Sequence, residues 1–103
     1  MGRPIAVTDR VAGAILLAEV LLPSWNELTP REKAIVARVA AGLTNRDIAW
    51  DLHLSPGTVK NYLSSALWKL GVHNRTQAAV IAMNMNDPIV REVTATLREP
   101  EAS

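Results

Sequence analysis

Two histidines, seven mid-chain cations and three tryptophans are the side chains in this sequence best equipped for chemistry, and their spacing narrows what that chemistry is. His53 and His73 are the only imidazoles, and cysteine is absent. Zinc usually takes three or four protein ligands, so no metal centre is expected. No serine, histidine and acid arrangement marks a nucleophile, and no glycine-rich phosphate loop occurs. Neither enzymatic activity nor a cofactor is expected. What remains is a concentration of cations. Residues 28–84 carry seven Lys and Arg against three Asp and Glu, while residues 1–27 carry two against three and residues 85–103 two against four. The net charge of +1 conceals this asymmetry. Such a surplus fits a solvated surface or a polyanionic partner equally well. It matters because DNA binding draws much of its energy from phosphate neutralisation and counterion release.

Donors of this kind act only when rigid elements aim them, and the start and stop signals for such elements are clear. Thr29-Pro30-Arg31-Glu32 is a capping box with proline at the first helical position. Ile35, Val36, Val39 and Ala40 give that helix its inward stripe, and Gly42 ends it. Thr44-Asn45-Arg46-Asp47 opens a short helix to about Leu52, with Ile48, Ala49 and Leu52 inward. Ser55-Pro56 caps the next, over 56–70, with Gly71 past its end. Val59, Leu63, Ala66, Leu67 and Leu70 make its core face; Lys60, Asn61, Ser64, Ser65 and Trp68 lie elsewhere on it. Only two or three residues, His53 and Leu54 among them, separate these two helices, the connection length of a helix-turn-helix. Asn74-Arg75-Thr76-Gln77 opens a further helix to about residue 85, with Asn74 as cap and Gln77 in the capping-box position. Asp87-Pro88 starts a last one, with Ile89, Val90, Val93 and Leu97 on one face, before a frayed tail over 99–103.

The ends of the chain set the remaining expectations. Thr8 or Asp9 caps an apolar helix that Pro23 stops. Its run over 11–22, interrupted by Glu19, is shorter than the ~20 residues a membrane span needs. It also lacks the basic leader and cleavage site of a signal peptide. A soluble cytoplasmic chain is expected, one small domain of 103 residues with modest extensions. Because that first helix is apolar nearly all round, it seeks burial on two sides, the second supplied by a partner subunit or a further domain. Trp25 is expected to pack on the helix that starts at Pro30. Trp50 and Trp68 fall at exposed helical positions, to be covered by the terminal extensions or by a protein partner. Glu32 and Arg75 are expected to form a buried or half-buried ion pair with a structural role.

Residues 28–84 resemble the DNA-binding domain of the LuxR/NarL/FixJ class of transcription regulators, in its response-regulator branch. The resemblance rests on Leu28-Thr29, Arg31-Glu32, Ala41-Gly42-Leu43-Thr44-Asn45, Asp47-Ile48-Ala49, Leu52, Leu54-Ser55, Thr58-Val59-Lys60, Lys69-Leu70-Gly71-Val72 and Asn74-Arg75-Thr76-Gln77-Ala78. It covers about half the chain and is specific, because the matches are ordered and correctly spaced. It implies an all-α fold: a four-helix LuxR-type helix-turn-helix bundle over 28–84, with an extra N-terminal helix in 1–27 and a C-terminal amphipathic helix and tail in 85–103. It implies that the helix over 56–70 enters the major groove of double-stranded DNA, with Lys60, Asn61 and Ser64 facing bases. Lysine suits guanine and asparagine suits adenine by donor and acceptor pattern. Many relatives carry a basic residue where this chain has Ser64, a departure that bears on base preference. The resemblance also places Asn45, Arg46, Ser55, Thr58, Lys69 and His73 on phosphates, contacts that fix register without reading sequence.

The same class implies a homodimer through Thr76, Ala79, Val80 and Met83, with the helix over 9–22 as a second dimer candidate, and contact with RNA polymerase as a further expectation. Region 4 of a sigma factor carries a related motif, but the run over 69–78 favours the regulator class. An interaction protein built on the helical scaffold is the alternative from another class, supported by the tryptophans and the apolar flanking helices. Regulators of this class usually carry a receiver or ligand-binding domain upstream. The 27 residues before Leu28 are too few for a receiver, so the chain is read as either a fragment or a small stand-alone regulator.

Overall fold

Each helix from Pro30 onward begins where a short polar side chain can satisfy backbone N–H groups that have no partner inside the helix. The computed structural model describes residues 24–98; the expected helix over 9–22 and the tail over 99–103 lie outside the described residues. From Pro30 onward, five helices follow one another among the described residues: α1 (Pro30–Ala40), α2 (Asn45–Leu52), α3 (Pro56–Leu70), α4 (Arg75–Asn84) and α5 (Pro88–Arg98). At α1, Thr29 Oγ1 accepts from the Glu32 N–H at 3.1 Å, and Glu32 Oε1 accepts from the Thr29 N–H at 2.8 Å. Thr44 and Asp47 repeat this reciprocal pair at α2. Both boxes were legible from residue type and spacing.

The cap of α4 differs from expectation. Asn74 Oδ1 accepts from the Gln77 N–H, but the Gln77 side chain takes the N–H of His73, at 2.7 Å, instead of that of Asn74. The backbone explains it: Asn74 has φ −152°, against −70° at Thr29 and −79° at Thr44. That rotation turns the Asn74 N–H away from the helix and brings its predecessor's into reach. At the other end of α1, Gly42 takes φ 98°, and the Leu43 N–H returns to Arg38 O at 3.0 Å. A left-handed residue at this position favours glycine, which has no Cβ to clash.

The core is organised around α1, which packs against α3, α4 and α5. Ile35, Val36 and Ala37 are fully buried in it. They meet Val59, Leu63, Ala66 and Leu70 of α3, Ala78, Ile81 and Ala82 of α4, and Met85 and Val90 at the chain's return, all in one cluster. The helix α2 contributes Ile48 and Ala49 and packs mainly on α3. Leu52 and Leu67, expected inward, are half-buried at the margin of this cluster. The described residues contain no strand, and no helix among them is long and apolar enough to cross a membrane.

Asp87 fastens α5 to this body. Its Oδ1 accepts from the Ile89 N–H at 2.8 Å, capping the helix, and its Oδ2 accepts from the Trp25 indole N–H at 2.8 Å. Lys33 of α1 stands 3.6 Å from the same carboxylate and 5.9 Å from the Trp25 ring centroid. Partial burial raises the Asp87 pKa, but the Trp25 and Ile89 N–H groups and the Lys33 charge outweigh it and leave the pKa below its ordinary value. Beyond this anchor α5 packs along α1: Val90 is buried, Ile89 and Val93 are half-buried, and Leu97 is 40% exposed.

Candidate nucleic-acid interface

The turn between α2 and α3 is three residues long, and its first residue adopts an unusual backbone. His53 has φ 59° and ψ 46°, and the Leu54 N–H returns to Ala49 O at 2.8 Å. An L-residue in this left-handed well costs about 1–2 kcal/mol. Leu54 packs half-buried against the core. Ser55 then starts α3: its Oγ accepts from the Thr58 N–H at 3.1 Å and its hydroxyl donates to Thr58 Oγ1 at 2.9 Å. The turn and the packing of α2 on α3 set the relative orientation of the two helices.

The buried positions Val59, Leu63, Ala66 and Leu70 take one face of α3. The opposite face therefore carries Lys60, Asn61, Ser64 and Trp68, all exposed. The fifteen residues of α3 contain no Asp or Glu, and Lys60 enters no ion pair among the described residues. A cation, an amide and a hydroxyl in one outward stripe match the acceptor and donor pattern that base edges present in the major groove. Arg46 and His73 are exposed, while Asn45 and Thr58 are half-buried.

The expected Glu32–Arg75 pair does not form. Glu32, 4% exposed, accepts instead from Lys69 Nζ at 2.9 Å and from the Ser65 hydroxyl at 2.7 Å. Burial raises the Glu32 pKa, yet Lys69, the Thr29 N–H and Ser65 together outweigh it and lower it below the ordinary carboxylate value. The packing explains the exchange of partners. The last turns of α3 cross the start of α1, bringing Lys69 and Ser65 to Glu32. The start of α4 lies beside the loop between α1 and α2, where Arg75 donates to Leu43 O at 2.9 Å and to Asn45 Oδ1 at 2.7 Å. Lys69, read from the resemblance as a phosphate contact, thus has its ammonium drawn inward to Glu32 and, at 3.4 Å, to Glu27 O.

On α4 the residues Thr76, Val80 and Met83 are exposed and Ala79 is half-buried, so the four share one outward stripe. Trp25 is buried as expected, at 1% exposure. Trp50 and Trp68 are 86% and 83% exposed, so α5 does not cover them. Sequence reasoning missed Ser65, the Asp87–Trp25–Lys33 cluster and the Arg38–Asp51 ion pair at 2.6 Å. Ser65 had one usable signal, its position one turn before Lys69 on α3. The partners in the other two come from separate elements, and no local pattern marks them.

An exposed polar stripe on the second helix of a helix-turn-helix is the arrangement by which domains of that class present side chains to a DNA groove. The family model described as bacterial regulatory proteins, luxR family, matches residues 26–82, and the chain belongs to that family. Among curated relatives, the uncharacterized transcriptional regulatory protein YvfU of Bacillus subtilis is 51% identical over 57 residues, covering 55% of this chain and 28% of the relative. The DNA-binding transcriptional activator DevR/DosR of Mycobacterium tuberculosis is 37% identical over 90 residues, covering 82% and 42%. The transcriptional regulatory protein DesR of Bacillus subtilis is 45% identical over 62 residues, covering 60% and 31%. The chain therefore spans less than half the length of each of these relatives. No solved structure gives a significant match.

Proposed function

We propose that this chain binds double-stranded DNA sequence-specifically in transcriptional regulation, with α3 in the major groove and Lys60, Asn61 and Ser64 facing base edges. The observation that carries the proposal is the exposed, acid-free stripe of α3 on a luxR-family helix-turn-helix. Arg46, Ser55, Thr58 and His73 would contact phosphates around it. Asn45 joins them, because Arg75 occupies its carbonyl oxygen and leaves its amide N–H groups to donate outward. Lys69 is not retained in this set, since it serves Glu32. Gly57 supports a close approach: a Cβ there would meet only Ser55 Oγ, at 3.9 Å, so packing within the chain does not require glycine. Residues 28–84 form the DNA-binding unit, and Thr76, Ala79, Val80 and Met83 of α4 form the surface through which two copies pair on two half-sites.

Selection of bound sequences from a random duplex pool tests this directly. A recovered motif with two related half-sites supports both specific binding and the dimer. A single half-site keeps the binding and removes the dimer. Absence of any binding at low salt refutes the proposal and favours an interaction protein on the same scaffold, the reading that the two exposed tryptophans would otherwise invite.

A further inference from the structure

The outward stripe of α3 does not stop at Ser64. At ~100° per residue, Trp68 lies about 40° around the helix from Ser64 and about 20° from Asn61. It stands ~10 Å beyond Asn61 along the axis. The indole is thus a continuation of the face assigned to base reading, and it is 83% exposed. Its neighbour Lys69 is withdrawn onto Glu32, and Leu70 is buried. At the C-terminal end of α3, Trp68 is therefore the outward residue with a side-chain donor, and no acid on this helix opposes an approaching phosphodiester.

The dimensions say what this end of the helix would meet. At 1.5 Å per residue α3 is ~22 Å long, whereas the major groove is about 12 Å wide. A helix that inserts its first turns between the strands brings its last turns against a flanking sugar–phosphate backbone. We infer that Trp68 is a backbone-contacting residue of the DNA interface: its ring packs on a deoxyribose beside the groove, and its indole N–H donates to a phosphate oxygen there. It occupies the role at this end of α3 that Lys69 gives up to Glu32. Being uncharged, it adds affinity without releasing a counterion. The inference rests on the proposed placement of α3 in the groove.

The test compares Trp68→Ala, Trp68→Phe and Lys60→Ala on a mixed-sequence duplex and on a duplex recovered by selection, across a salt series. Trp68→Ala is expected to weaken both duplexes equally, about three- to tenfold, with the slope of log affinity against log salt unchanged. Trp68→Phe, which keeps a ring but loses the donor, falls between. Iodide quenching gives an independent reading in the Trp50→Phe protein, where Trp25 is buried and Trp68 is the accessible indole. Saturating duplex should shield it. Unchanged affinity in Trp68→Ala with undiminished iodide access in the complex overturns the inference. If Lys60→Ala still loses affinity under that outcome, the placement of α3 stands and only the role of Trp68 falls. If the unmodified protein binds neither duplex at low salt, both fall together.

Discussion

Lys60 and Lys69 sit on the same helix nine residues apart, and the fold gives them opposite tasks. Lys60 points outward with no ion-pair partner among the described residues, while Lys69 closes on a buried carboxylate. Lys60→Ala is therefore expected to cost about 1–3 kcal/mol on the selected duplex and little on random DNA, measured by titration at fixed salt. An equal loss on both duplexes would make Lys60 a phosphate contact. The Glu32–Lys69–Ser65 cluster instead governs stability. Because the folded-state pKa of Glu32 is lowered, the stabilisation from its ionised form is fully present above about pH 4.5. It is lost as pH falls through the lower folded-state value. Asp87 adds to the same acid limb from its own ordinary value of 3.8 downward. Urea unfolding from pH 7 to pH 3 should show stability falling on acidification below pH 4.5, and Glu32→Gln should flatten part of that fall. An unaltered slope would show that the carboxylate contributes the same in the folded and unfolded chain.

At the scale of elements, the turn between α2 and α3 is where local preference is overruled. His53 holds a left-handed conformation that glycine adopts without a Cβ clash. Relief of that clash is set against the extra freedom glycine gives the unfolded chain. His53→Gly should accordingly raise stability by up to about 1 kcal/mol, read as a shift in the urea midpoint. A loss would mean that the imidazole makes a contact worth more than the strain. The outward stripe of α4 is a second element-scale feature. Ala79 is half-buried beside exposed Val80 and Met83, so a charge there would be trapped if two α4 helices meet. Val80→Glu or Ala79→Glu should weaken dimerisation in sedimentation experiments while leaving the monomer folded. No change would move the dimer surface elsewhere, with residues 9–22 the next candidate.

At the scale of the whole molecule, α5 is joined to the body both by a polar anchor and by its packing on the central helix. Asp87 ties it to Trp25 at one end of the described chain and to Lys33 on the central helix. Removal of residues 87–103 would uncover the Trp25 indole N–H and the apolar surface under Val90 and Ile89. At ~25 cal/mol per Å² of apolar area, that loss should lower stability by at least about 2 kcal/mol, measured by urea denaturation. A smaller change would make α5 an appendage to a domain that ends near Asn84.

What could be read along the chain was what short-range physics dictates. Thr29 with Glu32, Thr44 with Asp47, Ser55 with Thr58 and Asp87 with Ile89 are contacts within one turn, so residue type and spacing suffice to place helix starts. The period of apolar residues on α1 and α3 likewise marked the buried face and set Lys60, Asn61, Ser64 and Trp68 off it, but it grouped with them Ser65, which is half-buried and bonded to Glu32. Packing alone decided which helix meets which, and so which charges become partners. Glu32 lies 37 residues from Lys69, the partner it takes, and 43 from Arg75, the one it was expected to take. Nothing local distinguishes those two cations. Only the crossing of α3 over the start of α1 brings one within 3 Å and leaves the other on Asn45. That same crossing draws the Lys69 ammonium inward onto Glu32, while Trp68 stays exposed at the end of the outward stripe of α3.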